Sequence, residues 1–249
     1  MSLRKRDVVT SVVYPESDGK PMAETELHCR LMINLIEALR NFFADQPDVY
    51  VWGNMFIYYE EGDPGKNVAP DVFVVRGVGK RLGEKTRRVY RLWEEGRVPC
   101  VVIEVSSSET KNEDLQRKKQ LYARLGVKEY FIFEPEYRYL KPPFRAYRLS
   151  GDQYVELVII NRRVRSEELG LDLVDTGETL RLFEPIRGGF LLTPEEEAVA
   201  HLEAEARAAH AEAERQAEAE ARRRAEVELE KLRAELARLK RKTSKKRSK

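Results

Sequence analysis

No stretch of this 249-residue chain approaches the roughly 18 uninterrupted apolar residues of a membrane span. The opening segment, MSLRKRDVVTSVVYPE, has no long apolar stretch running into a small-residue cleavage site. A cytoplasmic protein with no membrane partner is therefore expected. Cysteine is scarce: Cys29 falls in an apolar helical run and Cys100 just before a valine-rich strand, so two separated thiols fit a reducing compartment better than a disulfide framework. Neither CxxC nor HxxxH spacing accompanies them, which argues against zinc. Charge of one sign is also lacking. With 45 Lys and Arg against 43 Asp and Glu, the net charge of +2 does not by itself argue for nucleic acid. Aromatic residues are missing beyond Phe190, and Gly and Pro beyond Pro194.

What is present divides the chain. The aromatic and apolar material before residue 192 suffices for one core of ordinary domain size, whereas the rest is nearly all Ala, Glu, Arg and Lys. The expected organisation is a folded domain at 1–192, a charged helical arm at 193–242 and a basic disordered tail at 243–249.

Within the domain, Leu27, Leu31, Leu35, Ile36, Leu39 and Phe43 recur at helical spacing and predict a first helix over 24–43. Two runs rich in Val, Tyr and Phe, 49–59 and 68–76, flank the turn residues EEGDPGKN and read as a hairpin. The unbroken apolar run VPCVVIEV suits a strand covered on both faces. Thr110 and Glu113 have capping-box spacing and Gly126 a stop position, which predicts a helix over 111–125. Strands are expected at 129–135, 144–149 and 154–160. This order predicts a mixed α/β sheet flanked by helices, with a βαβ crossover at 101–134.

Two acids stand where acids are costly. Asp71 opens the strand APDVFVV and Glu104 ends VVIEV. A carboxylate on an apolar strand needs a partner, either an arginine, the N–H groups of a turn it caps, or a shared divalent metal. On the following helix, a 100° step per residue groups Asp114, Leu115, Leu121, Tyr122 and Leu125 around Lys118, at the centre of the core-facing arc. Arg117 and Lys119 fall to either side as solvated charges, and Asp114 is placed to balance Lys118 through an i, i+4 contact.

These residues carry a resemblance. A PD at Pro70 and Asp71, an acid at the end of a hydrophobic strand, and a helix with an inward lysine resemble the PD-(D/E)XK nuclease superfamily. More narrowly, EVSSSET, D114xxxK118xxxY122 and GVKEYFIFEPE, with His28, WEEGRVP and GFLLTPEEE around them, resemble the Uma-type restriction endonuclease family over about residues 15–200. The resemblance implies a restriction-endonuclease-like fold. It also implies hydrolysis of DNA phosphodiesters with Mg²⁺ or Mn²⁺, held by Asp71, Glu104 and the Val105 carbonyl. The superfamily lysine would stand at position 106, which here is Ser; the resembling family moves it to the helix, which gives Lys118 that role, with Asp114 keeping it charged and aimed.

DNA contacts are expected from the basic insertion, where Arg87, Arg88 and Arg91 interleave with Tyr90 and Trp93, alongside Arg81 and Lys85. An ordinary solvated loop is the alternative, since Glu84, Glu94 and Glu95 dilute the patch. His28 reads either as a hydrogen-bonded helix histidine or as a phosphate contact. The competing reading of the whole is a catalytically silent DNA-binding or assembly module of the same fold.

The arm keeps two apolar spacings, Val199, Leu202, Ala206, Ala209 and Ala213, then Leu229, Leu232, Leu236 and Leu239, in different phases. A long helix is predicted, with a coiled coil and a homodimer expected from its leucine end.

Overall fold

Side chains along the central strands alternate between two buried layers, which means that helices or sheets must cover both faces. In the computed structural model, which describes residues 12–17, 25–80 and 86–247, with side chains as far as 237, this covering is explicit. Helix α1 (Glu26–Phe42) is followed by β1 (Val49–Trp52), β2 (Ile57–Tyr58), β3 (Asn67–Val68), β4 (Val72–Arg76), β5 (Tyr90–Arg91), the short α2 (Leu92–Glu95) and β6 (Val101–Val105). Helix α3 (111–125) leads to β7 (Glu129–Phe133), β8 (Phe144–Ser150) and β9 (Gln153–Glu156). Four strands follow, β10 (Arg163–Ser166), β11 (Leu171–Asp175), β12 (Leu180–Glu184) and β13 (Gly189–Phe190), and then α4 (Pro194–Arg247).

The main sheet has the order β1-β4-β6-β7-β8-β9. Within this sheet, among the described residues, β6 and β7 are the one parallel pair, joined through α3, so the expected crossover is present in a mixed sheet. Val72, Val74, Val101, Ile103, Val105, Phe131 and Phe133 point to one layer, where Leu31, Leu35 and Leu39 of α1 meet Leu171, Leu173, Leu180 and Leu182 of a second sheet, β10-β11-β12-β13. Phe73, Val75, Val102, Tyr130 and Ile132 point to the other, under Leu121 and Tyr122 of α3 and a small sheet β3-β2-β5. Glu129, buried on β7, binds the two sheets together: it accepts bonds from Arg148 on one side and from the Ser166 hydroxyl and the Glu167 N–H on the other.

Three expectations need correction. The long hairpin is broken on both arms: β1 pairs with β4 in the main sheet, while β2 and β3 pair with each other in the small one. Gly53 is the reason, because its backbone passes so close to Asp71 that a Cβ would lie 1.9 Å from the Asp71 carbonyl oxygen. The chain therefore leaves the sheet there, with Asn54 N–H donating to the Pro70 carbonyl at 2.8 Å. Next, Thr110 does not cap α3 with Glu113. The reciprocal cap sits one turn earlier, where Ser107 Oγ accepts from the Thr110 N–H and Thr110 Oγ1 accepts from the Ser107 N–H. Finally, α3 is not uniform: it widens to a π turn at Asp114–Lys118 before continuing as Lys119–Leu125.

The chain forms two compact units, Met1–Pro194 and Glu195–Lys249. The helix of the second continues to Arg247, past residue 243, where the basic tail was expected to begin. Glu24, Arg81, Glu84 and Lys85, which figured in the sequence expectations, lie outside the described residues. No helix among the described residues is long and apolar enough to cross a membrane.

Candidate active site

The strand register brings the two acids together. Val72 pairs with Ile103 in an antiparallel ladder, so Asp71, one residue before, lies across from Glu104. Glu104 is on the same face as Val102, beneath α3, and is fully buried. Its Oε2 accepts from Lys118 Nζ at 2.9 Å, and its Oε1 from the Tyr122 hydroxyl at 2.7 Å. The Asp71 N–H reaches the same Oε2 at 3.4 Å. Asp71 in turn accepts from the Val105 N–H on Oδ2 at 2.7 Å. Its Oδ1 lies 3.4 Å from His28 Nε2, a long contact whose weight is electrostatic rather than directional.

Lys118 closes the arrangement. Its ammonium sits 3.0 Å from Asp114 Oδ1 as well as against Glu104, so one cation is held between two buried carboxylates. The Asp114 contact is an ion pair without hydrogen-bond direction. Asp114 is itself fixed by the Ser106 hydroxyl, which donates to Oδ2 at 2.9 Å, and its main-chain carbonyl accepts from Tyr130 at 3.0 Å. The π turn thus spans both ends of the Asp114–Lys118 pair and leaves Leu121 and Tyr122 facing the sheet.

The electrostatics follow from this enclosure. Burial is the largest influence on Glu104 and pushes its carboxyl up; Lys118 opposes it, Asp71 and Asp114 add to it, and the net position is well above the ordinary 4.5. Burial would also raise Asp71, but the His28 ring beside it, the nearby Lys118 ammonium and the Val105 N–H outweigh it and hold Asp71 below 3.8. Burial alone would lower Lys118, yet Glu104, Asp114 and Asp71 more than compensate, so it stays charged. Tyr122 is pushed well up by burial and by Glu104, and remains a hydrogen-bond donor.

A family model described as "Uma2: Putative restriction endonuclease" matches residues 13–180. The chain belongs to the Uma2 family. No curated protein matches it. A solved structure from Anabaena variabilis, described as "a putative nuclease belonging to DUF820", is 12% identical and has a TM-score of 0.45, covering 60% of this chain and 76% of its own, a likeness too distant to bear on function.

In this Uma2 chain the donors suit a hard divalent cation. Asp71 and Glu104 carry carboxylates on neighbouring strands, and a small cation that keeps several waters needs only one or two such groups, although here each of their oxygens already meets a protein group. Among the described residues no set of three or more His, Cys, Asp and Glu side chains forms a ready-made cage.

Of the residues anticipated from sequence, Asp71, Glu104, Val105, Asp114 and Lys118 come together. His28 is buried against Asp71 rather than turned outward to a phosphate. Among the described residues of the basic insertion, the arginines are engaged with protein groups. Arg87 has a side chain only 2% exposed, forks onto Glu95 at 2.8 and 2.9 Å and stacks 4.4 Å above Tyr50, which consumes it as a packing cation. Arg88 pairs with Glu16 and Arg91 with Glu94, so two of the acids that dilute the patch in sequence, Glu94 and Glu95, meet its arginines in space. Sequence reasoning missed Ser106, Tyr122 and Tyr130 as bond donors to the site, and Gly53 as the residue that lets Asp71 sit where it does. For Tyr122 the signal was available, since it follows Lys118 by four residues on the same arc.

Proposed function

We propose that this Uma2 protein is a divalent-metal-dependent endodeoxyribonuclease. The observation that carries the reading is the placement of one lysine between Glu104 and Asp114 at 2.9 and 3.0 Å, directly beside an acid from the neighbouring strand. Asp71, Glu104 and the Val105 carbonyl would hold Mg²⁺ or Mn²⁺, which when bound supplies Lewis-acid polarisation of a phosphate and a more acidic water. Lys118 is the cation for the negative charge that grows on the phosphoryl oxygens, kept protonated by its two carboxylate neighbours. Asp114, fixed by Ser106, aims that ammonium. His28 and the Val105 N–H fix the carboxylate of Asp71. DNA is the substrate this reading implies.

One observation favours a second reading. Glu104 is fully enclosed and both its oxygens already have donors, as in a buried network serving stability alone. A catalytically silent DNA-binding module would look the same. Purified protein incubated with supercoiled plasmid, with Mg²⁺, with Mn²⁺ and with chelator, separates them. The nuclease reading expects metal-dependent nicking or linearisation that falls at least about 100-fold in Glu104→Gln, since a catalytic electrostatic contact is worth that much. Plasmid that stays intact under both metals while the protein still retards it in a gel supports the silent module instead.

A further inference from the structure

Leu229, Leu232 and Leu236 of α4 are 48%, 54% and 53% exposed, the 3,4 spacing of a single seam on an otherwise charged helix. We propose that this seam is covered by the same seam of a second copy of the chain, running parallel and in register. Charge placement selects both the occupant and its direction. With Leu229 and Leu236 at a and Leu232 at d, Glu228 falls at g and Arg233 at e. In a parallel pair a g residue faces the e residue five positions on in its partner, so Glu228 meets Arg233 of the other chain twice per dimer. The next heptad repeats the rule in sequence, Glu235 at g and Lys240 at e, and Leu239 continues the seam at d.

An antiparallel pair that stacks the same leucines would instead set Glu235 against its own copy and Arg233 against its own copy at the middle of the seam, whereas the parallel pair sets each of Glu228, Arg233, Glu235 and Lys240 against an opposite charge. The two like-charge contacts count against the antiparallel pair. Within one helix Glu228 and Arg233 are five apart and do not pair; Glu228 lies 3.8 Å from Lys231 instead. Arg222, one heptad before Leu229, also occupies an a position. A long cation there can reach solvent from a two-stranded seam but is enclosed in a higher-order one, which favours two strands. Val227 falls at f, outside the seam.

Two measurements on the full-length protein test this. Leu236→Cys should form a covalent dimer under mild oxidation, because equal a positions adjoin only in a parallel, in-register pair; the parent, with Cys100 buried and Cys29 half-buried, is the control and should not. Sedimentation across a concentration series should show a dimer that Glu228→Arg weakens by roughly tenfold, that Arg233→Glu weakens similarly, and that the double exchange restores. These positions are exposed on a single chain, so the substitutions disturb no core. A monomer at every concentration, a Leu236→Cys dimer whose introduced thiols fail to join, or a double exchange no tighter than the single ones would overturn the proposal.

Discussion

Lys118 holds two buried carboxylates in place, and this sets what its loss does. Removing one partner of a buried pair costs about 3–5 kcal/mol when the remaining charge has nowhere to go, so Lys118→Met should destabilise the domain, besides abolishing the cleavage proposed above. The cost depends on pH. Glu104 already sits above its ordinary value and rises further without the ammonium, so it can escape its isolation by binding a proton. A group whose folded pKa is raised contributes stability that is present below 4.5 and is lost as pH rises through the folded value. Metal-free Lys118→Met should therefore melt close to the parent near about pH 5 and well below it near about pH 8; equal deficits at both would show that Glu104 does not take up the proton. Lys118 itself was legible in the sequence because a helical arc is a simple geometric rule and a cation in an apolar arc must meet an anion. His28 was not. Whether a histidine at the start of a helix faces solvent or an acid 43 residues away depends on how α1 docks on the sheet, which no local pattern encodes.

The elements show the same division. The strand VVIEV, the crossover and the stop at Gly126 follow from periodicity and turn chemistry and appear where expected. The broken hairpin does not, because the break comes from a close backbone approach that only becomes apparent when Gly53 and Asp71 are side by side. Gly53→Ala should cost about 1–3 kcal/mol through forced backbone displacement, a melting temperature lower by roughly 3–10 °C, and metal affinity measured by calorimetry should fall with it because Asp71 is the residue pushed. Unchanged metal binding would separate that turn from the site. Helix α3 starts at Lys111 as expected, but its cap is a different one, because Ser107 and Thr110 satisfy each other and leave Glu113 out. Ser107→Ala should cost about 1 kcal/mol in thermal denaturation, whereas Glu113→Ala, whose carboxylate is spent on an exposed pair with Arg117, should cost less than half of that.

At the scale of the whole molecule, the division at Pro194 predicts that a chain ending there unfolds in one cooperative transition within about 3 °C of the parent, checked by scanning calorimetry. A broad transition, or one much lower, would show that the first unit needs the second. The second sheet, β10 to β13, was the largest part of the domain that the sequence did not foretell, because its strands are short and its turns irregular. Yet its leucines complete the layer under α1: Leu31, Leu35 and Leu39 share one core with Leu171, Leu173, Leu180 and Leu182. During synthesis the first helix therefore leaves the ribosome long before the residues that cover it, and the domain cannot close until Leu182 has emerged from the exit tunnel. At about 5–20 residues per second the stretch from Leu39 to Leu182 takes about 7 to 29 s to make, so the apolar face of α1 waits that long on the nascent chain for the leucines that cover it.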